Sequence, residues 1–190
     1  MDQKNLLAEL SSGDEARAEA AVGGLVALGE HAMPIIHELM EAEVADVRWW
    51  AVRALAELPG PETTELLLRA LQDPDEGVRS GAALALRHHP DPQAIPALLD
   101  MLAANEAFVR RMAADALVAT GAVAVPDLLE VMQNGTRPAR LEVVRALALI
   151  GDTRAIPHLM AAFNEDSALA EYWADLGLER MGLGTIYFKP

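Results

Sequence analysis

The chain contains no cysteine. Disulfides, thiolate catalysis and cysteine-ligated metals are therefore excluded, while a cytoplasmic location is the default expectation. Aromatic residues are scarce, 4% of a sequence that is 52% hydrophobic, so the interior must be built from Ala, Leu, Val and Met. Ala and Leu are strong helix formers, which favours an all-helical chain. Positive charge is also in short supply: 15 basic side chains face 29 acidic ones, a net charge of -14. That balance opposes non-specific contact with nucleic acid or an anionic membrane surface. No run of 18 apolar residues occurs, so no membrane span is expected. The opening MDQKNLLAEL is polar and acidic, unlike a signal peptide. Nor is there a glycine-rich phosphate loop; Gly23-Gly24 lies inside a helical pattern, where small residues favour close packing.

What is present is one motif written six times. The arginines of VRWWAVRALAEL, VRSGAALALRHH, VRRMAADALVAT and ARLEVVRALALI align as Arg48, Arg79, Arg110 and Arg140. Ala18 and Glu171 take the same slot in the outermost copies, and successive spacings are 30, 31, 31, 30 and 31 residues. With this slot as zero, small or apolar residues recur at +3, +6, +7 and +10, as in Ala51, Ala54, Leu55 and Leu58. This is the period of an amphipathic helix, called A here. Acids and capping residues precede it, as in Asp73-Pro74-Asp75-Glu76 and Asn105-Glu106. A second helix, B, reads MPIIHELM, IPALLDML, VPDLLEVM or IPHLMAAF, with Pro34, Pro96, Pro126 and Pro157 in its first turn. The second copy departs, with Glu65 in the proline slot.

The chain thus predicts about twelve helices in antiparallel pairs and one domain over 1–190. A half repeat spans 1–13, repeats start near 14, 45, 74, 105 and 136, and a last helix over 167–182 precedes a tail over 183–190. A helix pair cannot bury its stripe alone, whereas stacked neighbours build a continuous core. The signature D-x-x-V-R-x-x-A-A-x-A-L, a glycine turn, then A-I-P-x-L-L resembles the HEAT-like repeats of the phycobilisome-lyase type. The resemblance implies an all-α fold, an alpha-alpha superhelix or HEAT-like solenoid, whose A helices line the concave, partner-binding surface. Such a fold does not fix a function.

At about 100° per residue, positions -1, +3, +6, +7 and +10 share one arc, and +1 lies almost opposite. Positions +2, +5 and +9 fill the sector between. Collected over six copies, these outer slots hold all three tryptophans, Trp49, Trp50 and Trp173. They also hold Arg53, Arg111, Arg145 and Arg180 against Glu19, Glu57, Asp115 and Glu142. Aromatic and arginine side chains are enriched in binding hot spots. The candidate partner-binding residues are therefore Trp49, Trp50, Arg53, Arg111, Met112, Arg145, Tyr172 and Trp173. Trp50 is equally open to packing on the next repeat, and Tyr172 and Trp173 to capping the array under the tail GLGTIYFKP. Regular recurrence gives Arg48, Arg79, Arg110 and Arg140 a structural role, a ladder bridging the acids of adjacent repeats.

No catalytic constellation stands out. The five histidines form no i, i+4 metal pair and no H-E-x-x-H occurs, so neither a metal nor a cofactor is expected. Deoxyhypusine hydroxylase, a di-iron enzyme of similar repeats, uses His-Glu pairs at +1 and +2, where this chain has Trp-Trp, Ser-Gly, Arg-Met, Leu-Glu and Tyr-Trp. Bilin lyase subunits, also similar, bind a tetrapyrrole and its acceptor protein, and arginines with aromatics suit propionates and rings. The reading carried forward is a non-enzymatic scaffold that binds a protein or peptide on its concave surface, without nucleic acid or membrane, its oligomeric state open. The alternative is an enzyme or enzyme subunit of the same family, handling a bilin or, less readily, a metal.

Overall fold

The computed structural model describes residues 3–163 and 167–183. The tail beyond residue 183, and with it any cap over Tyr172 and Trp173, lies outside the described residues. Among those described, the chain forms twelve α-helices joined by short turns, the all-α, antiparallel-pair architecture of a HEAT-like solenoid. Backbone contacts divide it into two compact units, Met1–Asp91 and Pro92–Pro190.

The first unit holds α1 (Gln3–Leu10), α2 (Glu15–Val26), α3 (Met33–Met40), α4 (Ala45–Leu55), α5 (Pro61–Ala70) and α6 (Glu76–Leu86). The second holds α7 (Ile95–Met101), α8 (Ala107–Thr120), α9 (Val125–Asn134), α10 (Arg137–Ile150), α11 (Ile156–Ala162) and α12 (Ala168–Arg180). Even-numbered helices are the A helices, and each packs on the B helix before it. Within the first unit α4 also packs on α2 and α6; within the second α10 packs on α8 and α12. Residues 107–134 are long and apolar enough in sum to cross a membrane. Gly121, with φ 69°, ends α8 inside that stretch and a 3-10 turn follows, so two helices form instead of one span.

The stripe at -1, +3, +6 and +7 is buried in the central copies, for instance Val47, Ala51, Ala54 and Leu55. Each fully buried leucine contributes about 1.5–3 kcal/mol of transfer free energy. The stripe is wider than its period predicts. Position +4 is buried too, as Val22, Val52, Ala83, Ala114 and Val144, because A helices pack on A helices as well as on B.

Helix entries differ from expectation in two places. Asp14, Asp75, Thr136 and Ser167 cap α2, α6, α10 and α12 by accepting a backbone N–H. Neither Asn105 nor Glu106 caps α8. The second departure is α5, which starts at Pro61 after Gly60, with no lead-in turn. The other prolines sit in the first turns of α3, α7, α9 and α11, each after a 3-10 turn (Gly29–Ala32, Pro92–Ala94, Gly121–Ala124, Thr153–Ala155).

The recurrent arginines reach carbonyls at the start of their own repeat. Arg79 Nη1 donates to Asp73 O and Pro74 O, Arg110 Nη1 to Ala104 O and Asn105 O, and Arg140 Nη1 to Gly135 O. Arg48 does likewise with Ala42 O and Glu43 O, and also grips Asp73 with Nε at 2.7 Å and Nη2 at 2.8 Å. Arg48 thus adds a carboxylate rung, while the feature all four share is closure of the preceding turn. A guanidinium at slot zero lies one helical turn above those carbonyls, which otherwise lack donors at a helix end.

Candidate functional site

The two adjacent tryptophans straddle α4. Their rings meet edge to face, centroids 4.7 Å apart. Trp50 is half-buried and, with Trp49, lines a hollow against Leu10 and Ala18 of the preceding helices. Trp49 leans the other way, over α6. A Cβ on Gly81 would stand 3.3 Å from Trp49 Nε1, and one on Gly77 would stand 4.0 Å from Trp49 Cδ1. Two glycines one turn apart thus make a seat for the indole, which keeps 36% of its surface exposed. Ser80, expected to face outward from α6, is buried.

Between α4 and α6 lies a cleft of about 490 Å³, lined by Trp49, Val52, Arg53, Ala56, Glu57, Gly81, Leu84, Ala85 and His88. Its walls are mainly apolar. Small-molecule sites typically measure about 300–1,000 Å³ with a few polar groups in apolar walls, and the cleft matches that pattern. Arg53 is less free than a binding anchor should be. Its Nη1 donates to Glu57 Oε1 at 2.6 Å and its Nη2 to Glu19 Oε1 at 2.6 Å. The hydrogen bond to Glu57 is the main cause holding the Arg53 guanidinium above its ordinary pKa. A ligand carboxylate at Arg53 has to compete with both.

The second unit treats the same slots differently. Arg145, expected among the exposed anchors, is 5% accessible and pairs with Asp115 and with Glu142, the latter at 3.1 Å. Arg111 Nε lies 2.9 Å from the same Glu142 oxygen. Two cations and two anions therefore close on one another. The physical reason lies in slot matching: Asp115 and Arg145 both occupy +5 on neighbouring packed helices, so stacking brings them together. Trp173 lies under this group, its centroid 6.0 Å from the Arg145 guanidinium carbon. Tyr172 meets Trp173 edge to face at 5.2 Å and remains 57% exposed. Met112 is half-buried. Arg145 is thus a structural ion-pair centre, and the eight candidate residues form two separate groups, one in each unit.

Among the described residues no three of His, Asp and Glu converge to hold a metal. His37 Nε2 pairs with Glu62 at 2.8 Å, and His89 Nε2 lies 3.1 Å from Ala56 O.

The sequence model of HEAT repeats matches residues 4–87, 32–118 and 109–178. The chain belongs to the HEAT-repeat family. Among HEAT-repeat relatives, the phycocyanobilin lyase subunit beta of Pseudanabaena tenuis is 32% identical over 126 residues, 63% of this chain and 42% of that protein. A phycobilisome maturation protein of Synechococcus elongatus is 35% identical, over 60% of each chain. The chain spans about half the length of the curated relatives it matches. The solved CpcE–CpcF complex of phycocyanin lyase from Nostoc has the same HEAT fold, with a TM-score of 0.61 at 22% identity, covering 76% of this chain and 96% of that one. These findings place the chain among HEAT-like repeats of the phycobilisome-lyase type. They also correct the expected function: the relatives are named for bilin lyase and phycobilisome maturation, which overturns the non-enzymatic peptide scaffold in favour of its bilin-handling alternative.

Proposed function

We propose that the chain is a bilin-handling subunit of the phycocyanobilin-lyase type, which holds a linear tetrapyrrole for delivery to a phycobiliprotein. The observation that carries this reading is the relationship to proteins named phycocyanobilin lyase subunit and phycobilisome maturation protein. The first unit supplies a suitable place. Pyrrole rings pack on the Trp49 indole and the Leu84 and Ala85 side chains, while the propionates reach the rim, where His88 and Arg53 lie. Among the described residues no hydrogen bond occupies the Trp49 indole N–H, which leaves a donor for a ring carbonyl. With no cysteine, this chain has no thiol to form a thioether with a bilin.

The partners in this reading are proteins: the phycobiliprotein that accepts the bilin, and a second helical-repeat subunit like that of the CpcE–CpcF complex. The test is to co-produce the chain with phycocyanobilin, a phycocyanin alpha subunit and a candidate second subunit, then count covalent bilin on the acceptor by mass spectrometry. The expected result is more adduct with the chain than without it. Equal adduct in both, together with no spectral change of free bilin on mixing, overturns the proposal.

A further inference from the structure

The second pocket of interest lies away from the Trp49 cleft, between the turn before α3 and the turn before α5. It measures about 360 Å³, and its walls include Met33, Leu58, Gly60, Pro61 and Thr63. Thr63 is the anomaly. Sixteen positions before the arginine slot, four other copies place Ala32, Ala94, Ala124 and Ala155, all fully buried. The second copy places Thr63 there, 1% exposed, and its Oγ1 is buried with no hydrogen-bond partner. An unsatisfied buried hydroxyl destabilises a fold, and alanine fits this slot elsewhere in the same chain.

The α5 entry adds donors beside it. Gly60 is the cap residue at φ 128° and ψ 162°, so no side chain satisfies the first turn. Pro61 has no N–H, which leaves those of Glu62 and Thr63 at the helix start. The amides can only donate, and the hydroxyl can donate as well as accept, so an acceptor serves all three. Glu30 and Glu62 line the same pocket, and Glu62 is held by His37 at 2.8 Å. Two carboxylates repel an anion, and the remaining walls are apolar. A neutral carbonyl meets both conditions.

We propose that this pocket is a binding site for a neutral carbonyl on a small apolar body, of the lactam or secondary amide class, with the Thr63 hydroxyl as its buried donor. The site is independent of the lyase reading and stands if that reading fails. The hydroxyl then has a use: it lowers stability in the free protein and is satisfied on binding.

The test titrates 2-pyrrolidinone into the full chain up to high millimolar concentration, followed by NMR, with acetate as a carboxylate control. Saturable shifts at Thr63 and Met33, weaker with acetate, are expected. Thr63→Val, which keeps the shape and removes the hydroxyl, should weaken binding about tenfold and raise the thermal midpoint by roughly 2–4 °C. Thr63→Ser should keep the binding. Should the valine variant misfold, Thr63→Ala, the residue of the other copies, gives the same readout. Unmoved Thr63 signals, unchanged affinity in the hydroxyl-free variants, or tighter binding of acetate would each overturn the proposal.

Discussion

The A-helix faces of the two units use the same slots for opposite ends. In the first unit, +1 and +2 carry Trp49 and Trp50, and the facing helix answers with Gly77 and Gly81, so an apolar cleft stays open. In the second, +1, +2 and +5 carry Arg111, Glu142, Asp115 and Arg145, which close on one another. The glycines mark the contrast. A Cβ at Gly81 meets the edge of an indole, whereas one at Gly177 of α12 falls 2.8 Å from Ala148 Cα on α10. One glycine makes room for a side chain; the other lets two backbones touch. An identical repeat register therefore produces a recess or a sealed contact, according to what two or three outer positions hold.

Breaking the sealed face should have the largest effect. Arg145→Ala leaves Asp115 without its cation and Glu142 with Arg111 alone, and is expected to cost about 3 kcal/mol in urea unfolding. Gly177→Ala comes next: its methyl meets backbone that cannot yield, for a loss of about 1–3 kcal/mol by the same measurement. Acid should erode the first unit more gently. Burial pushes the Asp73 carboxyl up, but hydrogen bonds from Arg48 and from the Asp75 backbone outweigh it and leave the folded pKa below 3.8. A depressed carboxylate stabilises the fold above its unfolded value, and that share is lost as pH falls through the folded one. Urea midpoints should therefore drop below about pH 4, and less steeply in Asp73→Asn. Smallest is Gly81→Ala. Helix propensity favours it by about 1 kcal/mol, contact with Trp49 opposes it, and stability should stay nearly level while the cleft narrows.

Much of this was legible beforehand. A 30- or 31-residue period with stripes at +3, +6 and +7 suffices for twelve helices in pairs, because burial follows spacing. Helix geometry for one copy treats +5 as a flank, however, and says nothing of what the next copy presents there. That is why Arg145 was expected to be exposed. The signal was available in the aligned slots, since Asp115 and Arg145 oppose in charge at +5 and Arg111 and Glu142 do so at +1 and +2. Thr63 hid for a related reason: only comparison with Ala32, Ala94, Ala124 and Ala155 reveals it as out of place. The α5 start escaped because proline was sought at Glu65, while Pro61 performs that task one turn earlier.

The central claim is that the recess beside Trp49 takes a linear tetrapyrrole, and spectroscopic titration addresses it most directly. Phycocyanobilin added to the purified chain should change its visible absorption saturably and quench tryptophan fluorescence, and Trp49→Ala should lose both while folding normally. A flat titration of the parent chain, or an unaltered one in the Trp49 variant, would contradict the account.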